Sequence, residues 1–458
     1  CIESPKGKPW GIFEKTQWKY KAYERPPKRG RIKCNWRRNT YYPNPYWRGQ
    51  TCKWVFKKTW GKRNFSISNQ TTICTKRRKQ IKINNNCKSY KRRNNFHCKY
   101  NHRNLERIKI KLNNFRCYDE YECSFSEKIN IIHGNNATGK TSIVESISLL
   151  STGKSFKTNV DKDLIKFGKE LYYNVYYIEK DLENIQLKIT SDGKAKKIII
   201  NNKTIKSISS FVGIIKTIVF SPDDERIITD DPKKRRKFLD KYLSIIDKKY
   251  LKTLIDYNKV LKERNELLKS DNIIDDNLLS IYNNKLICDG KTIIKKRKEF
   301  IDTINIYFNE KINVLSCGVD CGKLVYKPNV DFDDIEDVFL RTINYDLISK
   351  TTNCGPHRDD FYVILNDNEA MLHGSKGQIK TLALSLILSI VDIFREIDDN
   401  LVVILDDVFG ELDNTRQEQI LKLLDNKYQL FITTTSINSI NSEIIQKSKT
   451  IKTEREDI

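Results

Sequence analysis

One stretch constrains this chain more than any other: Gly134-Asn-Asn-Ala-Thr-Gly139-Lys140-Thr141, which fits G-x-x-x-x-G-K-[ST]. A tight loop of this kind turns successive backbone N–H groups toward phosphate oxygens and opens the positive end of a helix. Lys140 supplies a point charge to β- and γ-phosphates, and Thr141 offers a hydroxyl to Mg²⁺. The apolar run Ile129-Asn-Ile-Ile132 precedes the loop, and Ile143, Val144 and Ile147 follow at helical spacing. Strand–loop–helix is the setting this motif requires. The candidate nucleotide contacts are therefore Gly134, Asn135, Asn136, Ala137, Thr138, Gly139, Lys140, Thr141 and Ser142.

A second carboxylate motif lies far downstream. Leu401-Val-Val-Ile-Leu405 is a short, wholly apolar run ending in Asp406-Asp407. A buried parallel strand reads this way, with acidic groups at its carboxyl end. Asp406 is placed in the Mg²⁺ shell. Asp407, with Lys140, is the catalytic candidate, orienting or deprotonating an attacking water. A plain strand followed by a solvated acidic turn is the competing reading, and the phosphate loop weighs against it.

Between and around these motifs the periodicity sets an order. Strands are predicted at 108–112, 128–132, 172–178, 185–190, 197–200 and 217–220. A helical pattern runs from Pro232 to about Phe308, with almost no Gly or Pro. A strand at 361–365, a helix at 380–394, a strand at 401–405, a helix at 415–424 and a strand at 429–433 complete the order. The expected fold class is α/β, a layered head interrupted by a helical insertion lobe. The apolar stretch Thr381–Phe394 is too short to span a bilayer and carries Ser385, Ser389 and Asp392, so no membrane is expected.

Composition enters because the chain is not uniform. Residues 1–100 hold 28 of the 84 Lys and Arg but three of the 58 Asp and Glu, so nearly all of the net charge of +26 sits there. That segment has no Leu, Met or Asp, yet it holds all six Trp and six of the twelve Cys. Global basicity is therefore no argument for nucleic-acid binding. A basic arm with stacking aromatics fits the charge. Disorder normally comes with few aromatics. A zinc module lacks C-x-x-C spacing, and a secreted disulfide domain lacks an apolar leader. The composition reads best as an out-of-frame or read-through translation joined to a coding region. The expected division is 1–104, then 105–215 and 346–458 as the two parts of the head, with 216–345 as the helical lobe. The remaining six Cys are scattered without ligand spacing, as in a cytoplasmic protein.

The order of motifs resembles the ABC-type ATPase heads. Gly374-Ser375-Lys376-Gly377-Gln378 sits where those heads carry a signature motif, and Gly410-Glu-Leu-Asp413 follows the aspartate pair. Ser375 lies 235 residues after Lys140. Transporter subunits have a much shorter spacing and chromosome-maintenance proteins a far longer one. The intermediate value is similar to the RecF family of DNA replication and repair proteins. So are Leu112-Asn-Asn-Phe-Arg116, Val219-Phe-Ser-Pro-Asp-Asp224, Arg235-Arg236-Lys-Phe-Leu-Asp240, Gly355-Pro-His-Arg-Asp-Asp360 and Phe431-Ile-Thr-Thr-Thr435. The resemblance covers about Leu105 to the end of the chain.

That resemblance implies ATP and Mg²⁺ as cofactors and an ATP-dependent homodimer clamped on single-stranded or gapped DNA. In such a dimer Ser375, Gly377 and Gln378 contact the γ-phosphate of the other subunit, with Asp413 beside them and Arg116 reaching the nucleotide. It also implies weak DNA-stimulated ATP hydrolysis, RecO and RecR as partners, help in loading RecA, and a part in the SOS response. Departures are Asn135 and Thr138 in the loop, Lys376 in the signature, and Ile379-Lys380 where RecF proteins have Gln-Arg. Other readings are an ABC-type subunit of another system, chromosome-maintenance-like or transporter-associated, and a P-loop metabolic kinase. The five basic residues Lys233–Lys237 fit either a solvated helix face or a DNA contact, and His357 fits a hydrogen-bonding role better than a metal ligand.

Overall fold

In the computed structural model, residues 107–180, 183–270, 275–397, 401–424 and 428–454 are described. The Trp-rich segment 1–104, with every expectation attached to it, lies outside them.

A five-stranded parallel sheet organises the head. Its order is Ser448–Lys452, Ile129–His133, Gln429–Thr434, Leu401–Leu405 and Lys216–Phe220. Four of its strands, all but Ser448–Lys452, are buried almost throughout and carry apolar runs, and alternation sorts their side chains into two cores. Ile129, Ile131, Val403, Leu405, Leu430 and Ile432 join one core. Ile132, Val402, Ile404 and Phe431 join the other. All five residues of Leu401–Leu405 are buried, and shortening any of them to Ala costs about 2–5 kcal/mol.

The second core lies between this sheet, the loop helix Lys140–Thr152 and an antiparallel sheet. That sheet runs Tyr118–Ser124, Arg107–Phe115, Tyr172–Lys180, Glu183–Ser191, Lys196–Ile200, Lys203–Thr204. Ile108, Ile110 and Leu112 meet Ile143 and Ile147 there. The first core holds the signature helix Lys376–Ile397, which is long and apolar enough to cross a membrane but has 83% of its apolar window buried in this fold. It is a core helix, extending several residues beyond the predicted 380–394.

Helices Pro232–Ile246, Lys248–Lys269 and Asp276–Leu315 form the inserted lobe. The last has 40 residues, about 60 Å at 1.5 Å per residue, and it packs against both Lys248–Lys269 and the signature helix. Lobe and head therefore share apolar side chains such as Ile304, Phe308 and Ile312 with Leu386 and Ile390. Two details differ from the sequence division. Lys216–Phe220, counted there with the lobe, is the edge strand of the parallel sheet. The 216–345 segment is also not wholly helical: Gly322–Lys327 pairs with Asp360–Leu365 in a separate three-stranded sheet.

Candidate nucleotide site

The site forms at the carboxyl end of the parallel sheet, where loops leaving adjacent strands converge. His133 ends its strand and the phosphate loop begins at once. Ala137 and Gly139 take left-handed backbone (φ 63° and 96°), which turns the chain into the loop helix. A Cβ at Gly139 would lie 2.3 Å from the Tyr118 hydroxyl oxygen, so only glycine fits beneath that ring. Asn135, Asn136 and Ala137 form an exposed crest, while Thr138 and Lys140 are buried.

Lys140 reaches under the crest. Its Nζ donates to the carbonyl oxygens of Gly134 (2.8 Å) and Asn135 (2.7 Å). Burial lowers its pKa, and the nearby charges of Asp407 and Asp406 oppose that shift. The ammonium is thus poorly solvated, tethered only to neutral oxygens, and set to favour an incoming anion.

The two metal-ligand candidates meet. Thr141 Oγ1 donates to Asp406 Oδ1 at 3.1 Å, although 265 residues separate them. Asp406 is 1% exposed. Burial raises its pKa, with hydrogen bonds from Thr433 and Thr141 acting against that rise. One hydroxyl and one carboxylate, both hard oxygen donors, suit Mg²⁺, which keeps several waters and takes its other ligands from phosphates. Among the described residues no cluster of three or more His, Cys, Asp or Glu side chains is placed to hold a metal ion.

Asp407 is exposed and sits at φ 55°. A left-handed aspartate outside a turn is a strained position of the kind concentrated at functional sites. What holds it there is Thr433, which the sequence marks only as part of the 431–435 motif, with no role of its own. Its Oγ1 accepts from the Asp407 backbone N–H (2.8 Å) and donates to Asp406 Oδ1 (2.7 Å). One hydroxyl on the adjoining strand therefore aims both aspartates. Thr453 does similar work for the loop: its Oγ1 lies 2.7 Å from Thr138 Oγ1, and its backbone N–H bonds to His133 O at 2.8 Å. Neither threonine could be found from spacing, since each acts across the sheet.

The other candidates are placed differently. Arg116 makes a bidentate pair with Glu145 of the loop helix, at 2.7 and 2.6 Å, and also donates to Asp163 O. Reaching a nucleotide would require its remaining N–H groups or a break in that pair. Asp413 caps the helix Asn414–Leu424, with Oδ1 accepting from Arg416 N–H at 2.8 Å. In the signature, Ser375 and Gly377 are exposed, and a Cβ on Gly377 would meet no atom within 4 Å. Gln378 bonds back to the Ser375 N–H (3.0 Å) and donates to Asp320 (3.0 Å). Asp320, also held by Asn366 at 2.8 Å, thereby ties the signature to the turn after the longest lobe helix. Serine and glycine of the signature face solvent, bonded to nothing in the phosphate loop among the described residues.

Comparison with known proteins agrees with this geometry. The RecF/RecN/SMC N terminal domain matches residues 105–457. A protein of Lachnospira eligens described as a DNA replication and repair protein RecF is 36% identical over 352 residues, 75% of this chain and 96% of that relative. One from Bacillus cereus with the same description is 33% identical over 356 residues, 75% of this chain and 95% of its own. The solved structure of the recombination mediator protein RecF with ATP in the RecFOR pathway superposes with a TM-score of 0.70 at 32% identity. It covers 75% of this chain and 96% of that one.

Proposed function

Since the chain belongs to the RecF family, we propose that it is an ATP-driven clamp on single-stranded or gapped DNA, acting in replication and recombinational repair. The observation that carries this is the separation of two halves of one site. The phosphate loop and the aspartate pair converge, while Ser375 and Gly377 point to solvent and bond to neither. A second copy is then what brings a signature over the nucleotide.

In this reading the crest N–H groups and Lys140 hold the phosphates. Thr141 and Asp406 would hold Mg²⁺, which would neutralise phosphate charge when bound. Asp407, aimed by Thr433, orients and accepts a proton from the attacking water. Ser375, Gly377 and Gln378 close the site from the partner, with Asp413 beside them, and Arg116 positions the loop helix through Glu145. Hydrolysis is weak and stimulated by DNA, and it resets the clamp. The RecFOR pathway named for the matched solved structure supports extending the proposal to RecO and RecR as partners, and the family resemblance extends it to loading of RecA, to the SOS response, and to the cytoplasm as the place of action.

Sedimentation velocity with and without Mg-ATP tests it. The wild type is expected to dimerise only with nucleotide, and Lys140→Ala and Ser375→Arg are expected to stay monomeric. Dimers in either variant, or a wild type that never dimerises, would sink the reading.

A further inference from the structure

The basic run Lys233–Lys237 does not behave as one surface. Lys234 pairs with Asp230 at 2.9 Å. Arg235 is buried and makes a bidentate pair with Asp360 at 2.6 and 3.0 Å. Lys233, Arg236 and Lys237 remain, at spacings that put them on one helix face. Among the described residues, none of these three makes an ion pair with a carboxylate. Together they line a cleft of about 260 Å³ whose far wall is Tyr257, Pro356 and His357.

Nearby acids are already taken. Asp240 and Asp359 both hold Arg297, at 2.9 and 3.0 Å, and Asp360 holds Arg235. Arg236 finds only a backbone oxygen, Asp359 O at 2.6 Å. Burial, then repulsion from Arg297, lowers its pKa, and the nearby carboxylates of Asp360, Asp359 and Asp240 only partly oppose that shift. His357 adds no charge. Its Nε2 lies 3.1 Å from Thr352 O and must donate, so Nδ1 accepts from the Tyr257 hydroxyl at 2.8 Å. Burial holds that ring neutral, with its pKa down at about 4. Asp240 and Arg297 also line the cleft but pair with each other, so Lys233, Arg236 and Lys237 leave it with an excess of positive charge, an arrangement that favours a bound anion.

Size narrows the choice. A cleft of about 260 Å³ is smaller than sites that engulf a whole drug-sized ligand, about 300–1,000 Å³. It admits a charged group of a larger molecule. An arginine fork flanked by two lysines suits the several oxygens of a phosphate. The cleft shares no residue with the phosphate loop. It is instead built partly from the Gly355–Asp360 motif, which the nucleotide site leaves without a role.

We propose that this cleft is a second phosphate-binding site, in which Lys233, Arg236 and Lys237 hold a backbone phosphate of a bound DNA strand. The identity of the occupant rests on the clamp reading above. The test is fluorescence anisotropy of a labelled gapped duplex with the full chain in Mg-ATP, over a range of salt. The wild type is compared with Lys233→Gln/Arg236→Gln/Lys237→Gln and with Lys259→Gln/Lys262→Gln, whose lysines pair with Glu263 and Glu266 outside the cleft.

The cleft variant is expected to lose at least about tenfold in affinity, with a salt slope shallower by about one to two. The outer variant should change little, and both should still dimerise with ATP. Unchanged affinity and slope in the cleft variant overturn the proposal while leaving the clamp reading in place. Absence of DNA binding by the wild type overturns both. A further arm titrates inorganic phosphate into the Lys140→Ala protein by calorimetry. Tight binding there that needs the cleft residues, with DNA affinity insensitive to them, overturns the strand phosphate in favour of a free anion.

Discussion

Thr141 and Asp406 share a hydrogen bond of 3.1 Å across the mouth of the parallel sheet. Thr141 opens the loop helix that follows one strand, Asp406 directly follows another, and Gln429–Thr434 runs between those two strands. That intervening strand supplies Thr433, whose hydroxyl donates to the same Asp406 Oδ1 and helps fix the carboxylate. Replacing Thr141 by Val keeps its shape and removes the hydroxyl. The expected result is a loss of about tenfold or more in Mg²⁺-dependent ATP affinity, in line with about 1.5–3 kcal/mol for a hydrogen bond to a charged group. Binding without Mg²⁺ should hold nearly steady. Titration with a fluorescent nucleotide, with and without the metal, reads both.

Asp407→Asn separates chemistry from binding. Asn tolerates left-handed backbone, so the φ of 55° and the bond from its N–H to Thr433 should survive. Loss of the carboxylate is expected to slow ATP turnover by about 10²–10⁴-fold with nucleotide affinity within a few-fold of wild type. Steady-state phosphate release and nucleotide binding are the two measurements, and equal losses in both would remove Asp407 from the water-activating role.

Arg264 of the lobe helix Lys248–Lys269 pairs with Asp346 at 2.9 Å, and both side chains are 0% exposed. Arg264 also donates to Asn283 and Thr352, each at 2.7 Å. Breaking such a pair strands a charge, so Arg264→Met is expected to cost about 3–5 kcal/mol. The double variant Arg264→Met/Asp346→Leu should recover most of that. Urea denaturation followed by circular dichroism provides the comparison, and a double variant no better than the single one would count against the ion pair as the cause.

His357 makes stability depend on pH. Burial takes its pKa from the ordinary 6.5 to about 4, so between these values the unfolded chain binds the proton that the folded ring refuses. Stability is full above about pH 6.5 and falls as pH drops toward 4, by up to about 3 kcal/mol. His357→Gln should flatten this part of the profile. Denaturation midpoints at pH 7.5, 6.0 and 5.0 give the slope for both proteins, and parallel profiles would place the dependence elsewhere.

Much of the architecture was legible because burial on both faces leaves uninterrupted apolar runs. Leu401–Leu405 appears at the predicted limits, and the strands around Ile129 and Gln429 shift by a residue. Tyr118–Ser124 was not visible. It is an outer strand with no fully buried side chain, so its sequence carries no period to read. Ser448–Lys452 was missed for a similar reason, being half exposed at the other sheet's edge. The phosphate loop and aspartates announce themselves through residue types with few alternative uses. Thr433, Thr453 and Asp320 are common residues whose importance comes only from what tertiary pairing sets beside them.

The strand that leads into the phosphate loop has both of its sheet neighbours about 300 residues further along the chain. Pairings of such high contact order are slow to find. The helices of the lobe, by contrast, find their first packing partners close by in sequence, Lys248–Lys269 against Asp276–Leu315. On a refolding chain the lobe then works as a spacer that gathers the two halves of the head, and nucleotide competence arrives late. Far-UV circular dichroism is expected to recover before a bound fluorescent nucleotide does, which makes the interval between them the period when the chain most needs protection from aggregation.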